Sequence, residues 1–91
     1  MAITKYTKDF LENLIDYYIS EAPSYKQIAE SYFPEISSVE DAAFGIITGC
    51  VYSAFLRAYE NEDKKVELED IQDFNKIMKG RAALIKKAVL E

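Results

Sequence analysis

Residues 42–56 are uncharged, a run of fifteen that constrains the fold more than any other part of this 91-residue chain. Within the run, Gly45, Gly49 and Ser53 recur at every fourth position. Acidic residues precede the run and Arg57 follows it, so charge marks both of its ends. With 3.6 residues per turn, the three small residues lie on one side of a helix that is apolar nearly all round. A helix of this kind is buried on every side in a globular protein, and we therefore predict that it forms the centre of a helical assembly.

The small-residue seam (Gly45, Gly49 and Ser53) is the predicted contact surface. Glycine inside a soluble helix costs about 1 kcal/mol relative to alanine, so two glycines on one face indicate that another backbone packs closely there. Two interpretations remain open: another helix of the same chain covers the seam, or the same face of a second copy covers it. The opposite side, which carries Ile47 and Val51, also needs a cover, and a chain of 91 residues has few helices left to supply both. A two-fold interface would remove this shortage, and we predict a homodimer.

Helical periodicity elsewhere predicts an all-α fold, a compact bundle of about four helices in a single domain over residues 1–91. Thr7 is the predicted N-cap of the first helix, and Pro23 is predicted to end or redirect it. A serine followed three residues later by glutamine or glutamate is typical of a capping box, and it marks the next two helix starts at Ser24 and Ser37. The last two predicted helices, a central apolar one and a long final one, span Val39–Tyr59 and Leu68–Leu90.

The net charge of −5 argues against attraction of the whole surface to nucleic acid or to an anionic membrane. The charge is uneven, because residues 1–63 carry −7 and residues 64–91 carry +2. The two parts are therefore expected to attract each other within one chain or between two. The N-terminus lacks the apolar run of a signal peptide, and the fifteen uncharged residues fall short of the roughly 20 that a membrane span needs. We expect a cytoplasmic protein with no membrane partner and no nucleic-acid partner.

Four lysines of the last predicted helix form a basic strip on the side away from its apolar residues: Lys76, Lys79, Lys86 and Lys87. Such a strip is commonly a solvated face, with cations that favour the C-terminal end of a helix. Contact with an acidic protein is the functional alternative, and it is favoured over nucleic acid because the rest of the chain is acidic.

Enzyme chemistry has little support in the sequence. The chain has no histidine, the commonest general base and metal ligand, and its single cysteine, Cys50, falls in the apolar run, where a buried thiol is expected. No metal site and no cofactor are predicted. Arg81 falls within the apolar arc of the last helix, where pairing with a carboxylate such as Asp70 is expected. Together with Tyr52 and Tyr59, it is also the candidate for binding a small anionic ligand.

The sequence therefore predicts a non-catalytic helical interaction or assembly protein that self-associates. The alternative is a small-ligand binder or an enzyme that uses tyrosines, Arg81 and carboxylates in a cleft between helices or between two chains. No residue pattern identifies a partner, a substrate or a pathway.

Overall fold

Four α-helices account for most of the chain in the computed structural model, which describes residues 2–91. No strand occurs in this range, and the predicted all-α bundle is confirmed. The long helix α3 packs against each of the other three, which confirms its predicted central position. The helices are α1 (Lys5–Ser20), α2 (Ala22–Glu30), α3 (Val39–Asn61) and α4 (Leu68–Leu90).

The first two helices begin earlier than the sequence predicts. Thr4 is the N-cap of α1, and its hydroxyl oxygen accepts a hydrogen bond from the backbone N–H of Thr7 at 3.1 Å. Pro23 does not simply end α1 but lies in the first turn of α2, where a missing N–H costs no helical hydrogen bond. The predicted cap of α2 at Ser24 is therefore three residues late, since Glu21 is the N-cap and α2 begins at Ala22.

Capping and turn geometry fix the ends of α3 and the start of α4. Ser38, one residue after the predicted cap, accepts a hydrogen bond from the backbone N–H of Asp41 at 3.2 Å. At the other end, Asp63 adopts a left-handed conformation with φ of 55°, and the N–H of Lys64 donates to the carbonyl of Tyr59 at 2.9 Å. This is the helix-terminating arrangement that usually uses glycine. A reciprocal capping box between Glu67 and Asp70 then starts α4.

The core lies between one face of α3 and the inward faces of the other helices. Phe55 is fully buried, and its ring centroid lies 5.2 Å from that of Phe74 on α4 and 4.8 Å from that of Tyr59. A smaller cluster of Ala22, Ala29, Ala43 and Val89 joins α2 to α3 and α4. The buried side chains of α3 recur every fourth residue: Ala43, Ile47, Val51, Phe55 and Tyr59.

Candidate interaction surface

The small-residue seam lies on the solvent side of α3. Gly45, Gly49 and Ser53 are all exposed, whereas the buried row of α3 lies on the opposite side of the helix. A Cβ atom added to either glycine meets no other atom within 4 Å. The prediction that α3 is buried on every side is therefore wrong for a single chain. The other three helices cover one face of α3, and none of them is left to cover the seam.

The glycines of the seam have no explanation within one chain. Neither has a positive φ, so the backbone does not require glycine at these positions. No neighbouring backbone comes close enough to exclude a side chain. Of the two interpretations drawn from the sequence, packing against another helix of the same chain is excluded by this geometry.

Charged residues close the exposed face of α3 at both ends. At the N-terminal end, the Asp41 carboxylate lies 2.8 Å from Lys86 Nζ. Its hydrogen bond to Lys86 lowers the pKa of Asp41 and raises the pKa of Lys86. At the C-terminal end, Arg57 is exposed and makes no ion pair with any residue between 2 and 91.

A groove of about 320 Å³ adjoins Arg57, between the first turns of α1 and the last turns of α3. Tyr6 and Phe10 form its aromatic side; Tyr6 is largely exposed to solvent, whereas Phe10 is 38% exposed. The sequence analysis did not identify this groove, because it brings together residues about fifty positions apart. In the sequence, the one signal for this groove was Arg57, the charged residue that ends the uncharged run.

The predicted basic strip is partly neutralised within the chain. Lys86 pairs with Asp41, and Lys87 lies 4.0 Å from Glu91. Lys76 and Lys79 are exposed and form no ion pair within the described part of the chain. The attraction expected between the acidic and basic parts of the sequence thus acts at least in part within one chain.

Arg81 connects α4 to α1. Its guanidinium forms ion pairs with Asp16 and, at 3.5 Å, with Glu12. The prediction that Arg81 pairs with Asp70 is wrong, because the two residues are eleven positions apart on one helix, which separates them by about 16 Å along the axis. Asp70 instead accepts a hydrogen bond from the backbone N–H of Glu67 at 2.9 Å. With two carboxylates of α1 on its guanidinium, Arg81 is a structural link between two helices.

The residues predicted to bind a small ligand do not converge. Tyr52 is half-buried, with its ring 5.2 Å from that of Phe74. Tyr59 is buried beside Asp70, whereas Arg81 lies in a separate shallow groove between α1 and α4 with no tyrosine in its lining. A single site that uses all three of these residues within one chain is not supported by their positions.

Two buried aspartates were missed by the sequence analysis. Asp73 accepts hydrogen bonds from the backbone N–H groups of Ala2 and Ile3, and so ties the N-terminal segment to α4. Asp70 caps α4 and lies beside Tyr59. Their spacing at a helix start is typical of solvated carboxylates, so the pattern alone did not indicate burial.

Cys50 is half-buried, and not enclosed as expected. Its thiol lies beside Tyr18 and Tyr25, whose rings are 5.5 Å apart in an edge-to-face arrangement. Burial, with a smaller contribution from Cys50, raises the pKa of both tyrosines. Among residues 2–91, no cluster of histidine, cysteine or carboxylate side chains has the geometry to hold a metal ion.

Tyr59 provides a test of this interior through alkaline pH. Burial first, and then the Asp70 carboxylate, raise the pKa of Tyr59 to about 12, against about 10 in an unfolded chain. The contribution of Tyr59 to the free energy of unfolding is fully present below pH 10. It is lost as pH rises towards 12, by about 3 kcal/mol in total. Urea unfolding at several pH values should therefore show a steeper alkaline loss for the wild type than for Tyr59→Phe. Parallel pH profiles for the two proteins would contradict the assignment.

No protein-family model, no curated protein and no solved structure matches this chain. The class of the protein is therefore defined by its fold and surface alone: an all-α bundle of four helices whose central helix exposes an uncharged face. Within residues 2–91, α3 is the one helix long and apolar enough to cross a membrane, with 22% of its most apolar window buried inside the chain. Core helices of soluble proteins satisfy the same criterion, so this finding does not locate the protein.

Proposed function

We propose that this chain is a non-catalytic interaction and assembly protein, and that it self-associates through the exposed face of α3. The observation that carries the proposal is the solvent exposure of Gly45 and Gly49 in the middle of a 23-residue helix. Each glycine costs about 1 kcal/mol of helix stability relative to alanine. Close packing of a second backbone against the glycines would offset this cost. The space beside both glycines is open, since an added Cβ meets no atom within 4 Å.

A second copy of the chain is the proposed occupant of this face. The face is apolar between its charged ends, and Leu56 on it is 38% exposed. Burial of apolar surface contributes about 25 cal/mol per Å², so covering the face stabilises an assembly. A single pair of helices buries less than the standard interface of about 1,600 Å², and we expect a dissociation constant on the order of micromolar.

The cytoplasmic location is part of the same proposal. Glu40 and Asp41 lie inside the first turn of α3 and Arg57 lies in its last third, so the uncharged part remains shorter than a membrane span. The buried row of α3 is covered by protein. We propose that protein also covers the exposed face, with no part for lipid or nucleic acid.

A second candidate function, binding of a small ligand, has the groove beside Arg57 in its favour. The groove offers two aromatic rings and an arginine without an ion pair among the described residues, a combination suited to an anionic ligand with an apolar body. The groove is open to solvent along one side, which limits how much of a ligand it would enclose.

The proposed self-association predicts a dimer in solution. Light scattering over a dilution series from about 100 µM to about 1 µM should show the mass falling from twice the 10.4 kDa chain mass towards that mass. Native mass spectrometry of the freshly purified protein separates the two candidate functions, because retained ligand adds mass to either species. A mass of 10.4 kDa at every concentration would exclude the proposal.

A further inference from the structure

Five exposed residues of α3 follow one another at four-residue intervals: Asp41, Gly45, Gly49, Ser53 and Arg57. Each step turns about 40° around the helix axis, so Asp41 and Arg57 lie about 80° to either side of Gly49 and flank the seam. Gly49 is the midpoint, and opposite charges lie eight residues away on either side. With a rise of 1.5 Å per residue, each charge is about 12 Å from Gly49 along the helix axis. The row is therefore complementary to its own reversed copy.

Resting on the self-association proposed above, we propose that two chains pack their α3 helices antiparallel, about a two-fold axis that passes beside Gly49. At each end, Asp41 of one chain then lies at the same level along the helix axis as Arg57 of the partner subunit, and Gly45 lies at the level of the partner's Ser53. A two-fold interface uses one patch twice, so a single complementary pair of positions yields two contacts. The glycines bring the two backbones together at the centre.

Charge selects the antiparallel direction over the parallel one. A parallel pair in the same register would bring Asp41 to the level of the partner's Asp41 and Arg57 to the level of the partner's Arg57. Like charges at the same level of an interface are unfavourable, whereas the antiparallel pair brings opposite charges to the same level. Asp41 has room for a second cation, because 64% of its side chain is exposed even with Lys86 bound.

Side-chain size agrees with the same direction. Seven residues before Gly49 lies Ala42, which is half-buried, and seven residues after it lies Leu56, which is exposed. In the antiparallel register Leu56 of each chain meets the partner's Ala42, so that a large side chain faces a small one. A parallel register would place the two Leu56 side chains against each other at one end of the interface. At the other end it would leave a gap between the two Ala42 side chains.

Disulfide cross-linking distinguishes the two directions. In a Cys50→Ala background, the double variant Gly45→Cys/Ser53→Cys is expected to form covalent dimers in a glutathione redox buffer. Each single variant is expected to remain uncrosslinked, because identical positions lie about 12 Å apart and a disulfide needs Cα atoms within about 7 Å. An equimolar mixture of the two single variants should form a covalent heterodimer. Maleimide labelling serves as the control that every introduced thiol is accessible.

Each outcome bears on a different claim. Suppose that Cys50→Ala and the wild type both dimerise, and that each single variant cross-links to itself. The helices are then parallel, so the antiparallel inference fails while the proposed self-association stands. If the proteins dimerise and no variant cross-links, the contact lies elsewhere, and both the inference and the proposed role of α3 fail. If light scattering shows monomers only, the proposed function itself fails.

A charge reversal gives a second readout. Arg57→Glu places a carboxylate beside the partner's Asp41 at both ends of the interface, and the dissociation constant is expected to rise about five- to tenfold. Lys76→Glu is the matched control, since it changes net charge equally from an exposed position on α4. Equal dissociation constants for the two variants would overturn the predicted pairing.

Discussion

Replacement of Gly49 by leucine is expected to dissociate the proposed dimer while each chain stays folded. Within one chain, a Cβ at this position meets nothing within 4 Å, so the larger side chain points into solvent. At the proposed two-fold axis, the leucines of both chains occupy the same space. Overpacking of this kind costs about 1–3 kcal/mol, which raises the dissociation constant by roughly 5- to 150-fold. Light scattering at a concentration where the wild type is fully dimeric measures the effect.

Two further variants separate the interface from the fold. Ala83→Leu adds a similar volume at an exposed position of α4 and is expected to leave the dissociation constant unchanged. Gly49→Ala removes the helix penalty of glycine, and at concentrations that favour monomer it should raise the free energy of unfolding by about 1 kcal/mol. A Gly49→Leu protein that dimerises with wild-type affinity would show that the seam faces solvent in the assembly as well.

Local periodicity was sufficient to predict the helices but not all of their ends. The bounds of α4 agree with the prediction at Leu68 and Leu90, because acidic residues mark its first turn and a lysine marks its last. The start of α1 was misplaced from Thr4 to Thr7, since either threonine is a competent cap and the choice depends on which backbone N–H the hydroxyl meets. Pro23 was expected to end or redirect α1, and it lies in the first turn of α2, a position to which proline is suited.

Pairings between distant residues were not predictable from the sequence. Arg81 found its carboxylates on α1 and not on its own helix, because the packing of α1 against α4 brings Asp16 and Glu12 to the guanidinium. In the same way, the burial of Asp73 depends on the N-terminal segment, whose N–H groups satisfy the carboxylate. Helical periodicity describes one element at a time, and it carries no information on which neighbour supplies a partner.

The seam illustrates a different limit. Hydrophobicity all round α3 predicted burial on every side, but residues 2–91 form only three other helices, and together they cover one face. The sequence pointed to Gly45 and Gly49 as unusual, and left open whether the same chain or a second one covers them. The structure removes the first alternative, and measurements of mass in solution test the second.

The largest loss of stability is expected from Phe55→Ala. Phe55 is fully buried, and its ring lies 5.2 Å from Phe74, 4.8 Å from Tyr59 and 6.2 Å from Tyr52, between ring centroids. Truncation of a buried phenylalanine to alanine costs about 3–5 kcal/mol, and a chain of this size has only about 5–14 kcal/mol in total. The melting temperature should fall on the order of 20 °C.

Phe10→Ala is the matched control for Phe55→Ala, because it removes the same atoms from a ring that is already 38% exposed. We expect a loss of at most about 1 kcal/mol, since less apolar surface returns to water and no enclosed cavity forms. All proteins are compared at one chain concentration, because association adds to apparent stability by mass action. Equal losses for the two variants would place the core elsewhere than between α3 and α4. A large loss for Phe55→Ala alone would show that the buried row of α3 stabilises the fold.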